Sequence, residues 1–385
     1  MMEQVYDAIV VGAGIMGCST AYHLVKNNQR TLLLEQFPLP HTRGSSHGQS
    51  RIIRRAYGTE GDHFTEMMPE AYKLWNTLQR DSGTPLFRRT GILFCGTEGE
   101  PFMTDVPKSL RKHSMSFTSL DSSALREKYP MLRYPSDTVA VEDQSGGILF
   151  SDKSLAAFQK EFVKNGGTLR DNEPVVDVLP GDIVIVKTNN GSYRGRNLVL
   201  TVGPWATKVL PTLGVQLPLK AVRVGVFYWK EKIPGTYGVD NFPVIIQEFG
   251  SRHNHYYGIP CHEYPGLFKF CYHLGPEVDP DNRDDVDESW VLKKTSACVE
   301  NNFPLLEPVP AIVESCIYTV TPDHNCILDR HPTMRNIVIG AGFSGHGFKL
   351  APVVGKLLCE LVMNRKPSYD MSPFRIDRFH KSSKL

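Results

Sequence analysis

"YDAIVVGAGIMGCSTAYHLVKNNQRTLLLEQ", residues 6–36, reads as strand, tight turn, helix and second strand. Ala8 to Val11 form a short unbroken apolar run, the pattern of a strand buried on both faces. Gly12, Gly14 and Gly17 then fall in G-x-G-x-x-G register. Gly12 permits the sharp turn, Gly14 lets backbone amides approach a pyrophosphate, and Gly17 lets the helix lie close on the sheet. The helix offers its first amides and the positive end of its dipole to that anion. "TLLLE" returns as a strand ending at Glu35, whose carboxylate can accept hydrogen bonds from ribose hydroxyls. The glycine pattern alone is weak. With a strand before it, a helix after it and an acid about 20 residues on, it predicts a dinucleotide-binding Rossmann-like domain. Glu35 would repel a 2′-phosphate, which argues against NADP and leaves FAD and NAD both open.

Beyond this unit the Gly/Ser segment of "PLPHTRGSSHGQSRIIRRAYG" reads as loop. "MMPEAYKLWNTLQRD" and "LAAFQKEFVKNGG" have helical spacing, and "DSSALREKYP" reads as a helix with a Ser/Asp cap, stopped at Pro130. "TGILFCG", "DIVIVKT" and "GRNLVLTVGPWA" read as strands. "AVRVGVFYW" and "HYYGIP…LFKFCYHLG" alternate like antiparallel strands, a different style from the parallel opening. The nucleotide fold is therefore expected to use both chain ends and a middle segment, with an antiparallel layer inserted in two pieces.

A chain of 385 residues is long enough for two lobes. Net charge is +2 and no basic block appears, so neither nucleic acid nor an anionic membrane is an expected partner. The eight cysteines include no C-x-x-C pair and are expected to be free thiols. No signal peptide and no transmembrane helix are expected. The chain ends in Ser383-Lys384-Leu385, a peroxisomal signal read by an import receptor, so residence in the peroxisome matrix is expected. His253, His255 and His262 lack the spacing of a structural zinc site, and no metal is expected.

"IVESCIYTVTPDHNCILD", residues 312–329, alternates so that Glu314, Cys316, Tyr318 and Val320 share one strand face. A lone strand cysteine is ordinarily a small buried hydrophobe. Five blocks change that reading: "VVGAGIMG", "GSSHGQSRIIRRAYG", "GLFKFCYH", "ESCIYTVTPD" and "GAGFSGHGFK". In order and spacing they resemble the monomeric sarcosine oxidase family of flavin-dependent amine oxidases, over nearly the whole chain. The resemblance implies an α/β protein: a Rossmann-like FAD-binding domain of glutathione-reductase type with an inserted, mainly antiparallel β substrate domain. The expected division is 1–84, 142–216 and 316–385 for FAD, and 85–141 and 217–315 for substrate. It also implies a monomer that oxidises a small secondary amino acid (N-methylglycine, pipecolate or proline) to an imine and reduces oxygen to hydrogen peroxide.

The same resemblance makes Cys316 the covalent tether of FAD, through a thioether to the flavin 8α-methyl. Gly12, Gly14, Gly17, Glu35, Ser45, Arg51, Gly203, Gly345, Gly347 and Lys349 are the other expected cofactor residues. Arg54, in "RIIRR", is a planar two-pronged donor, and Lys349 adds a point charge; together they are the implied carboxylate clamp. Tyr257, Tyr318 and His273 match positions that orient substrate. Lys269 matches the residue that activates oxygen, with Arg51 adding positive charge nearby. The chain departs from the family at Cys326, where phenylalanine is usual, and at Val320, where a polar residue is common. That leaves a second thiol and altered local packing to consider. Two rival readings remain: an NAD-linked dehydrogenase, which leaves Cys316 and "GFSGHGFK" idle, and a flavin electron-relay module, for which Lys269 and the clamp are surplus.

Overall fold

The computed structural model describes residues 4–58, 61–250 and 254–379. His253 and the terminal Ser383, Lys384 and Leu385 lie outside them. The opening strand, β1 (Val5–Val11), is central in an eight-stranded sheet. It pairs in parallel with β2 (Thr31–Leu34) on one side and β12 (Gly191–Leu200) on the other, and β9 (Thr168–Arg170) follows β2. The long β12 serves two neighbours on its far edge. Its first half takes β11 (Val184–Thr188) and then β10 (Val175–Leu179), both antiparallel; its second half takes β19 (Ile337–Ala341) in parallel, with β18 (Ile327–Arg330) beyond.

Alternation along β1 feeds two cores, as the period of a strand demands. Ala8 and Val10 pack with α1 (Ile15–Lys26), α2 (Asp62–Ser82), α5 (Ser151–Lys164) and α8 (Gly347–Val362). Ile9 and Val11 face the opposite core, which takes Leu210 of α6 (Ala206–Thr212) and Val184 and Val186 of β11. Cover on both faces is what the unbroken apolar runs of this sheet require.

The second sheet also has eight strands, in the order β17 (Leu306–Val320), β13 (Lys220–Glu231), β16 (Leu267–Tyr272), β15 (His255–Pro260), β14 (Val244–Glu248), β5 (Ile92–Thr97), β7 (Thr138–Asp143), β6 (Thr118–Leu120). Every pairing is antiparallel except β14 with β5. One face carries Phe227, Trp229, Phe268 and Phe270 into an aromatic core under α7 (Ser289–Asn302), with Leu125 of α4 (Ser122–Lys128). Val226, Tyr228, Cys271 and Cys316 form a smaller cluster of their own. The α4 cap is as expected, with the Asp121 carboxylate accepting from the Ala124 amide at 2.8 Å.

A third, small sheet joins β3 (Ser50–Ile53), β8 (Gly147–Phe150) and β4 (Phe87–Arg89). β3 touches α8 and β15, so it stands between the helix layer and the second sheet. Its residues end the stretch read mainly as loop. Three helices lie outside the sequence expectations: the short α6, α3 (Pro101–Lys112), which carries prolines at both residue 101 and residue 107, and α7, which buries only Val291, Thr295 and Val299. A stripe that narrow gives a weak periodic signal. Among the described residues no helix is long and apolar enough to cross a membrane.

Candidate active site

A cavity of about 650 Å³ opens at the carboxyl ends of β1 and β2, the place where parallel sheets bind ligands. Gly12, Gly14, Glu35, Ser45, Gly203, Gly345 and Gly347 all line it. Gly12 has φ +98°, and a Cβ there would lie 2.5 Å from the Thr201 carbonyl oxygen. Gly17 is not in the lining. A Cβ on it would come within 1.8 Å of the Gly12 carbonyl oxygen, so its part is to let α1 start hard against the turn. Glu35 accepts from the Ala13 amide at 2.8 Å and the Phe37 amide at 3.1 Å, which ties the glycine turn to the end of β2. The Ser46 hydroxyl, from a distant loop, accepts from the Ile15 amide at 3.0 Å. No acidic side chain occupies the first turn of α1. Gly203, at φ +54°, has no atom within 4 Å of where a Cβ would stand. Spare turn geometry, an uncovered helix dipole and a carboxylate at the strand end fit the pyrophosphate and ribose of a dinucleotide.

A smaller cavity of about 80 Å³ adjoins it, and Arg51, Tyr318, Gly345 and Phe348 line both. Its wall brings together Arg54, Tyr257, Lys269, His273, Cys316 and Lys349. Three of these are cations that are almost wholly buried: Lys269 is 3% exposed, Arg54 4% and Lys349 6%. Burial of charge is costly unless the charge is paired or used. Arg54 and Lys349 approach the same Tyr57 ring, at 4.4 and 5.3 Å from its centroid. Lys269 Nζ lies 5.5 Å from the Tyr228 ring centroid and donates to the Ser50 carbonyl at 3.4 Å and hydroxyl at 3.3 Å. Burial first, then the Arg51 charge, holds Lys269 below the ordinary lysine range.

β17 delivers Cys316 and Tyr318 as its alternation predicts, opposite Val224 and Val222 of β13. The Cys316 Sγ lies 3.7 Å from Arg51 Nη2 and 3.8 Å from the Ser45 carbonyl oxygen. Glu314, on the same strand face, accepts from the Tyr264 hydroxyl at 3.1 Å, with the Tyr228 hydroxyl 3.4 Å away. Burial pushes the Tyr257 and Tyr318 hydroxyls well up, so both are neutral donors. His273 packs 5.3 Å from the Tyr318 ring, and Gly345, at φ +80°, makes room for it: a Cβ there would sit 2.6 Å from His273 Cε1.

Several residues of the site have no role in the sequence reading, although His47, Ser50 and Tyr57 fall inside the block "GSSHGQSRIIRRAYG". Tyr57 is the ring shared by Arg54 and Lys349. His47 bridges the Gly44 and Ser315 carbonyls at 2.7 and 2.8 Å, fastening the loop before β3 to β17 beside Cys316. Ser50 and Glu263 stand behind Lys269. Cys326 lines neither cavity; it belongs to the helix-side core, where burial pushes its thiol up to about 12.

Residues 7–361 match the DAO family, described as FAD dependent oxidoreductase. The chain is 48% identical over 384 residues to a peroxisomal sarcosine oxidase from Homo sapiens, covering 98% of this chain and 97% of that protein. It is 36% identical over 385 residues to a monomeric sarcosine oxidase from Arthrobacter, covering 97% of this chain and 96% of that one. Among solved structures, NikD, an unusual amino acid oxidase in its open form, superposes with a TM-score of 0.83 at 24% identity, covering 97% of both chains. An L-proline dehydrogenase from P. horikoshii gives 0.84 at 21% identity and 99% of both; these two establish the fold. Identity sustained from end to end, on a chain whose glycine turn already shapes a dinucleotide cradle, makes this protein a member of the FAD dependent oxidoreductase family, among the sarcosine oxidases.

Proposed function

We propose that the protein oxidises a small secondary amino acid, of the N-methylglycine or pipecolate kind, to its imine and passes the electrons to oxygen, giving hydrogen peroxide. The observation that carries this reading is the small cavity itself, which gathers two cations over one tyrosine ring and a third buried cation, and which joins the dinucleotide cavity through Arg51, Tyr318, Gly345 and Phe348. The names of the human, mouse and bacterial relatives support the substrate class. FAD bound in the large cavity supplies a two-electron acceptor whose reduced form reacts with oxygen.

In this reading Arg54 and Lys349 bind the substrate carboxylate. Their charge also lowers the pKa of the bound amine, so the neutral amine, whose lone pair assists loss of the adjacent hydride, is selected without a dedicated base. Tyr257, Tyr318 and His273 orient the substrate, and Lys269 with Arg51 stabilises negative charge where oxygen is reduced. The remaining assignments belong to the same proposal. Cofactor binding falls to segments 1–84, 142–216 and 316–385, and substrate enclosure to 85–141 and 217–315, with β7 running unbroken across the 141/142 boundary and β17 across the 315/316 boundary. A monomer is supported by the names of the bacterial relatives, and peroxisomal residence by those of the human and mouse proteins.

Peroxide release across a panel of secondary amino acids tests the function. Release with N-methylglycine or pipecolate is expected, and flavin reduction without oxygen uptake would instead favour an electron relay. The tether is tested separately. Acid precipitation of the native protein should give a yellow pellet, and Cys316→Ser should leave the pellet colourless and the supernatant yellow. Yellow supernatant from the native protein would reject Cys316 as the attachment point, and a protein without flavin would favour NAD.

A further inference from the structure

Lys269 and Arg51 present a problem that the reaction does not solve. Both donate to the Ser50 carbonyl, Arg51 Nη1 at 2.8 Å and Lys269 Nζ at 3.4 Å, so two cations meet at one neutral acceptor. Their repulsion, added to the burial of Lys269, favours a neutral amine, which would give oxygen no charge to lean on. Something must oppose this.

Glu263, in the turn between β15 and β16, is placed to do so. The Ser50 hydroxyl donates to Glu263 Oε1 at 2.7 Å and accepts from Lys269 Nζ at 3.3 Å. A hydroxyl has one proton; once it is given to the carboxylate, the lone pairs face the ammonium, and the bridge has a fixed polarity. The carboxylate is 4% exposed and is fastened from other sides as well. Its Oε2 accepts from the His262 amide at 3.1 Å and lies 2.9 Å from His262 Nδ1, and the Tyr228 hydroxyl stands 3.4 Å from Oε1. Tyr228 thus turns its ring to Lys269 and its hydroxyl to Glu263. Burial pushes the Glu263 carboxyl up, but His262, Lys269 and Ser50 outweigh it and hold it at about 2. The titratable groups acting on Lys269 are Arg51 of β3, Tyr228 of β13, Cys271 of its own strand, Cys316 of β17 and Glu263; Arg54, Tyr257, Tyr318, Lys349 and the imidazoles of His255, His273 and His346 line the same cavity, and Glu314 of β17 reaches the Tyr228 hydroxyl. Of the two carboxylates, Glu263 is the one joined to Lys269 through the Ser50 hydroxyl.

We infer that Glu263, acting through the Ser50 hydroxyl, is a positioning residue: it holds the Lys269 ammonium in place and charged beside Arg51, and so sets the upper pH limit of oxygen reduction. The inference rests on the reading of Lys269 given above. Its sign is definite. Oxygen reduction needs protonated Lys269, so it is fast below that group's pKa and falls as pH rises through it. Removing the anion lowers that pKa, and the fall moves to lower pH.

The test is stopped-flow reoxidation of the substrate-reduced holoenzyme by oxygen, followed against pH. Glu263→Gln should move the alkaline fall down by about one unit, costing about tenfold in rate on that limb, while reduction by saturating substrate changes by less than about twofold. Ser50→Ala breaks the bridge without touching the carboxylate, and should shift the fall in the same direction by less; it keeps the test alive if Glu263→Gln folds poorly. In a Lys269→Met background Glu263→Gln should cost nothing further, because its target is gone. A slow Lys269→Met enzyme beside native pH profiles for both Glu263→Gln and Ser50→Ala would overturn the inference and leave the role of Lys269 standing. So would an undiminished effect of Glu263→Gln in the Lys269→Met background. Native reoxidation in Lys269→Met alone would remove the role of Lys269, and this inference with it.

Discussion

Lys269→Met should slow reoxidation of the reduced enzyme by oxygen by about 10²- to 10³-fold, far more than it slows reduction by substrate. The first electron given to oxygen makes an anion, and this wall offers it little bulk solvent: Lys269 is 3% exposed and its Nζ is turned to Ser50. A unit charge about 4 Å away, at an effective dielectric of about 20, is worth about 4 kcal/mol, or roughly three decades of rate. Arg51 remains in the variant and recovers part of that, which sets the lower end of the range. Methionine keeps the length and apolar stem of lysine, so the strand can keep its packing, with Phe268 and Phe270 still in the aromatic core. The Glu263 carboxylate keeps the Ser50 hydroxyl and the His262 amide as donors. The measurement is stopped flow on each half reaction. Equal losses in both halves would mean that the lysine supports the site as a whole and does not act on oxygen.

The sequence was most legible where the physics is local. Residues 6–36 repeat short-range rules, each visible within a few positions, and the strand–turn–helix–strand unit stands where the pattern puts it. The Asp121 cap of α4 and the alternation through Cys316 and Tyr318 are of the same kind. Lys269 between two phenylalanines reads directly as a charge on the face opposite an aromatic core, and the strand presents it so. What stayed hidden depends on partners distant in the chain. Nothing in "NLVL" says that Leu198 pairs with Ile337, and nothing in the Gly/Ser loop says that it ends in β3, whose one carbonyl serves two cations. Glu263 sits in "PCHEYPG", a polar turn with no periodicity, and gains its meaning only when β15 and β3 come together. Tyr57 likewise looks like an ordinary core aromatic until Arg54 and Lys349 converge on its ring.

That convergence makes the second large effect calculable. Arg54→Met should lower kcat/KM for the amino acid by about 10²- to 10³-fold, the loss of about 3–4 kcal/mol that follows when one partner of a buried, hydrogen-bonded charge pair is removed. Lys349 survives in the variant, but a single ammonium cannot hold both carboxylate oxygens in one plane, so the substrate keeps some attraction and loses its orientation. Arg54→Lys separates the two contributions. It restores the charge without the planar fork, and the guanidinium's stacking over Tyr57, now at 4.4 Å, is also lost. Recovery should therefore be partial, about tenfold. The charge has a second consequence with its own sign. Arg54 disfavours the ammonium form of the bound substrate, so without it the bound amine has a higher pKa, and the pH at which reduction reaches its plateau moves up. Anaerobic stopped flow against pH reads both effects. A secondary amine lacking the carboxylate supplies the control, since it should be a poor substrate for the native protein and lose little more in Arg54→Met. A carboxylate-free amine that suffers the full loss would mean that Arg54 shapes the pocket through Tyr57 and does not grip the substrate. Reoxidation by oxygen should be nearly indifferent to Arg54, the converse of Lys269→Met, because the proposed function gives the two cations different reactants.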